Sequence, residues 1–61
     1  MPKTLTETAH EFAARLVEVS ESYHEGRITH EVFSAKQVSN WVEIELAGMS
    51  EPVLAILRGA L

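Results

Sequence analysis

A stop signal and a start signal for helix lie three residues apart in the stretch from His24 to Phe33, HEGRITHEVF, and no other feature restricts the fold as much. Gly26 lacks a Cβ and reaches positive φ without steric cost, the conformation that closes a helix at its C-terminus. Thr29 is placed to cap a second helix through its side-chain oxygen. Ile28 before it and Phe33 after it occupy the two positions of a hydrophobic staple. A connection this short makes the two helices antiparallel neighbours.

Upstream of the corner, Thr4 and Glu7 have the spacing of a capping box, and Pro2 stays outside, where its missing amide does no harm. Helix 1 is therefore expected over about residues 5–24. Leu5, Ala9, Phe12, Leu16, Val19 and Tyr23 recur at alternating steps of four and three, one narrow stripe facing a partner helix, widened by Ala13. Glu11 lies four residues before Arg15, the favourable order for a surface pair. Glu7, Glu11, Glu18, Glu21 and Glu25 fall on the opposite face, an acidic ridge that reads chiefly as a solvated outer surface.

Helix 2, expected over about 30–47, carries two apolar stripes. Ala35, Val38, Val42, Leu46 and then Met49 are spaced to face helix 1. Phe33, Trp41 and Ile44 form a second stripe, with Lys36, Asn40 and Glu43 as the wet face. A helix that is apolar on two sides needs cover on both. Gly48 ends it. A short third helix follows at about 51–60, with Ser50 as its expected cap and Pro52 in its first turn. Val53, Leu54, Ile56, Leu57 and Leu61 leave it almost no polar side, and two turns of helix do not persist in water without tertiary contacts.

Size sharpens the point. A chain of 61 residues is at most one domain, and folding at this length buries only about 60% of the unfolded chain's surface. There is no cysteine to supply a disulfide or a thiolate metal site. Self-association is the simplest remaining source of stability. The fold class that follows is all-α: one helical domain over residues 1–61, an antiparallel hairpin plus a short third helix, with two copies pairing into a four-helix-bundle core. Phe33, Trp41, Ile44, Leu54, Leu57 and Leu61 are the residues expected at that dimer or partner interface. Val53 to Leu57 is too short to span a bilayer and MPKTLTET lacks the apolar core of a signal peptide, so the expectation is a soluble, cytoplasmic protein with no membrane contact.

Chemistry is thinly represented. His24 and His30 flank the corner but lack the i, i+4 spacing of a helical zinc pair and a third ligand, and read as structural or exposed histidines. Nothing fixes a Ser/His/Glu set, and there is no nucleophile elbow or glycine-rich phosphate loop. The chain reads as non-enzymatic, with no catalytic, cofactor or metal site.

Two local resemblances bear on function. Gly26, Ile28, Thr29, Glu31, Phe33, Ala35 and Lys36, about eleven residues in all, resemble the hairpin corner of the short oligomerisation-type helical domains called SHOCT, which implies a self-associating helical hairpin. Gln37-Val38-Ser39-Asn40-Trp41 is similar to the recognition-helix core of homeodomains and to the V-S-x-W of repressor helix-turn-helix domains, with Gly48, Pro52 and Leu57 loosely echoing the repressor tail. That resemblance implies a DNA-binding transcription regulator using Lys36, Ser39 and Asn40. Those families place basic residues after the tryptophan, whereas this chain continues Val42-Glu43-Ile44-Glu45.

The formal net charge is −4, shared as −2 over residues 1–27 and −2 over residues 28–61. Non-specific nucleic-acid affinity comes mainly from phosphate neutralisation, so an evenly acidic chain is a poor DNA binder. The leading expectation is a small protein-binding module, a regulatory, adaptor or phage- or plasmid-type accessory protein, that forms a homodimer and occupies a partner protein's surface. The alternative is the helix-turn-helix regulator.

Overall fold

The computed structural model describes residues 2–59. They form three helices and, among the described residues, no strand: α1 (Leu5–His24), α2 (His30–Leu46) and α3 (Ser50–Leu57). The bundle measures 35 × 22 × 22 Å. Both α2 and α3 pack mainly on α1 and touch each other less, which makes the longest helix the spine of the molecule.

Local chemistry places the ends. At the start of α1 the Glu7 amide donates to Thr4 Oγ1 at 3.1 Å and the Thr4 amide donates to Glu7 Oε1 at 3.2 Å, a complete capping box. At its other end Gly26 has φ 75°. The Gly26 amide donates to Tyr23 O and the Arg27 amide to Ser22 O, at 3.0 and 2.9 Å. These two bonds, the nested pair of a Schellman motif, satisfy carbonyls the helix leaves free. Thr29 then starts α2 by accepting from the Val32 amide at 3.2 Å.

The motif repeats at Gly48, with φ 68°. The Gly48 amide donates to Glu45 O at 3.0 Å and the Met49 amide to Ile44 O at 2.9 Å. Its hydrophobic complement is present too: Ile44 and Met49, the residues on either side of the turn, are both buried. Met49 thus enters the core because the left-handed residue re-aims the chain, and not as a continuation of an α2 stripe.

The cap of α3 differs from the sequence expectation. Met49 is its N-cap, with no side-chain hydrogen bond, and Ser50 is its first helical residue. A buried Met49 in the cap position leaves Ser50 one place too late to cap. The helix gives way at Arg58 and Gly59, short of the expected 51–60; Ala60 and Leu61 lie outside the described residues.

The core is small: Ala9, Ala13 and Leu16 from α1, Ile44 from α2, Met49 from the turn and Val53 from α3, with Phe12, Trp41 and Ile56 half-buried against it. Val19 and Tyr23 extend the α1 seam towards the corner and are half-buried, while Leu5, expected to open that seam, is 73% exposed at the rim of an open hollow beside the first turns of α3. Arg15 does not pair with Glu11 as its i, i+4 spacing suggested. Its guanidinium lies 5.3 Å from the Phe12 ring centre and donates to Glu43 of α2 at 3.3 Å, while Glu11 accepts from Lys3.

Candidate interaction surface

The two apolar stripes of α2 are exchanged relative to the sequence expectation. Phe33, Trp41 and Ile44 turn towards α1, and Ala35, Val38, Val42 and Leu46 turn away from it. Ile44 is 0% exposed, whereas Val38, Val42 and Leu46 are 64%, 51% and 84% exposed. The physical reason is size. A phenylalanine, a tryptophan and an isoleucine remove more apolar surface from water than an alanine, two valines and a leucine, and aromatic side chains bury about 150–250 Å² each. The apolar run with no polar interruption lost to the one with larger members.

Gln37 lies on the inward stripe although it is polar. It occupies the turn between Phe33 and Trp41, where a polar residue argues for an outer face. Its Nε2 donates to Leu16 O at 3.0 Å and to Ser20 Oγ at 3.3 Å, and its Oε1 accepts from Asn40 Nδ2 at 3.2 Å. A half-buried amide with both ends satisfied costs little to bury and ties α2 to α1 at a defined register. The only sequence signal was its spacing, four residues from each of Phe33 and Trp41.

Three of the six residues named for a contact between copies therefore serve the chain's own interior. Ile44 is in the core, Trp41 is half-buried against it, and the Phe33 ring stacks on Tyr23 with centroids 4.7 Å apart at 25°. Leu54 is half-buried and Leu57 is exposed. Leu61 lies outside the described residues.

The corner has its own packing. His30 meets Tyr23 edge-on at 5.8 Å, and His24 lies tilted against the same ring at 5.9 Å. Both histidines thus sit around one tyrosine as aromatic neighbours. Among the described residues no group of three or more His, Cys, Asp or Glu side chains is arranged to hold a metal ion.

Two of the open surfaces involve apolar residues of α2. One is the outer face of α2, where Val32, Ala35, Val42 and Leu46 run along an exposed line beside Val38. The other is a shallow hollow of about 280 Å³ between α1, α2 and the end of α3, lined by Leu16, Val17, Ser20, Gln37, Trp41 and Leu57. Lys36 and Ser39 are exposed, but Asn40 is engaged with Gln37, and the exposed Glu43 and Glu45 share the helix. No helix among the described residues is long and apolar enough to cross a membrane. No family model, curated protein or solved structure matches the chain.

Proposed function

We propose that the protein is a small non-enzymatic interaction module, regulatory or adaptor in role, which acts by laying the outer face of α2 on the surface of a partner protein. The observation that carries this reading is the exposed line of Val38, Val42 and Leu46 on a helix whose other apolar face is already used by α1. Contiguous exposed apolar surface rimmed by polar residues marks contact sites on proteins. A helix of this kind docks by side chains at i, i+3, i+4 and i+7. Self-association belongs to the same reading: two copies joined through α2 would bring four long helices together, two from each.

The helix-turn-helix reading would need α2 to face phosphates with Lys36 as its only cation against Glu31, Glu43 and Glu45. The charge balance favours a protein surface.

Affinity capture from host cells, with the wild-type chain and a Val38→Lys/Leu46→Lys variant compared by mass spectrometry, tests the proposal. Proteins held by the wild type and lost from the variant are expected. An identical set from both would overturn the role of the α2 face. Helicity of the variant, measured by circular dichroism, is expected to match the wild type because neither side chain contributes to the core.

A further inference from the structure

Along the outer face of α2 the exposed residues Val32, Ala35, Ser39, Val42 and Leu46 follow one another at steps of three, four, three and four. That is the spacing of a coiled-coil seam, maintained over two heptads on the side of the helix turned away from the chain's own core. We propose that a second copy of this chain occupies this face, α2 lying antiparallel on α2 of the partner about a two-fold axis near Asn40. The inference rests on the interaction-module reading and names the occupant of its surface.

Two features of the seam select a second copy and this direction. The first is size. Antiparallel pairing sets Ala35 opposite Leu46 of the other copy and Ser39 opposite its Val42, four layers in which a small side chain meets a large one and the helices approach evenly, while Val32 lies past the end of the partner's α2. Parallel pairing sets Ser39 on Ser39 and Leu46 on Leu46, with layers of unequal thickness, a poorer fit for close packing.

The second is charge. Lys36 and Glu43 flank the seam on one side, seven residues apart. In the antiparallel arrangement each Lys36 faces Glu43 of the other copy, and the two-fold axis generates this pair twice, as an isologous interface requires. Lys36 makes no ion pair within the described residues, and Glu43 is exposed and bonded only to Arg15 at 3.3 Å, which leaves its second oxygen free to accept. On the other flank Glu45 meets Val38 of the other copy, so no carboxylate is driven against another.

Sedimentation equilibrium with designed pairs reads the interface. The wild type is expected to dimerise reversibly, and Val42→Lys to be monomeric with its helicity retained. Lys36→Glu or Glu43→Lys alone turns two attractions into two repulsions and is expected to weaken association by about tenfold, while the double reversal restores it. The chain contains no cysteine, so direction can be read by oxidation: Ala35→Cys copies mixed with Leu46→Cys copies should cross-link to each other in preference to either forming its own disulfide. Efficient Leu46→Cys self-linking, or a double reversal no better than the singles, would overturn the antiparallel register. A monomeric wild type at hundreds of micromolar would overturn self-pairing altogether. In that case, stripe-dependent capture of another protein would leave the interaction-module reading in place, and loss of both results would remove both.

Discussion

Single residues at the corner carry a disproportionate share of the fold. No neighbour lies within 4 Å of where a Cβ at Gly26 would stand, so a side chain there meets open space and its cost is the backbone conformation alone. A non-glycine residue held in the left-handed region costs on the order of 1–3 kcal/mol, most for β-branched side chains. Gly26→Val is therefore expected to lose more than about 1 kcal/mol and Gly26→Asn less, since asparagine tolerates this region. Urea unfolding of the two variants at matched concentration checks the order, and an unchanged transition for Gly26→Val would remove the residue from its closing role. Gln37 offers a second reading at this scale. Gln37→Ala removes both hydrogen bonds to α1 and is expected to cost about 1 kcal/mol, against a change within about 0.5 kcal/mol for Glu18→Ala at an exposed position of α1.

Among the elements, α3 depends most on its surroundings. Its eight residues are too few to hold a helix in water. What secures it is the burial of Met49 and Val53 against Ala9, Ala13 and Ile44, with the Gly48 turn setting the angle of entry. Ser50→Ala is accordingly expected to change stability by less than about 0.5 kcal/mol, as befits a residue that caps nothing. Met49→Ala, which opens a cavity at the junction of all three helices, is expected to cost about 2–5 kcal/mol. Thermal or urea unfolding separates the cases, and a cap-sized loss of about 1 kcal/mol on Ser50→Ala would restore that serine to the capping position. In α2 the same logic of size over pattern decided which face turned inward.

At the scale of the whole molecule, the proposal of a protein partner over a nucleic acid rests on charge. With acidic residues on every helix and a net charge of −4, the chain is expected to show no salt-sensitive binding to mixed duplex DNA even at low ionic strength, where electrostatic affinity is greatest. A gel shift that is selective for sequence and abolished by Lys36→Ala would bring the helix-turn-helix reading forward. The all-helical character and the number of helices were legible in the sequence. The capping pair Thr4 and Glu7, the glycines at 26 and 48 and the threonine at 29 act through bonds that span at most five residues. Interactions of that range can be read along a chain. By itself, then, the sequence determined where helices begin and turn, and that α2 has two apolar sides. Only the tertiary structure decided which side faces α1, that Gln37 belongs to the interior, and that Arg15 reaches Glu43 on α2 instead of Glu11 on its own helix. Periodicity gives the angle between two stripes but not their direction relative to another helix. That direction is set by the total area and hydrogen bonding that packing can satisfy, a sum over residues far apart in the chain.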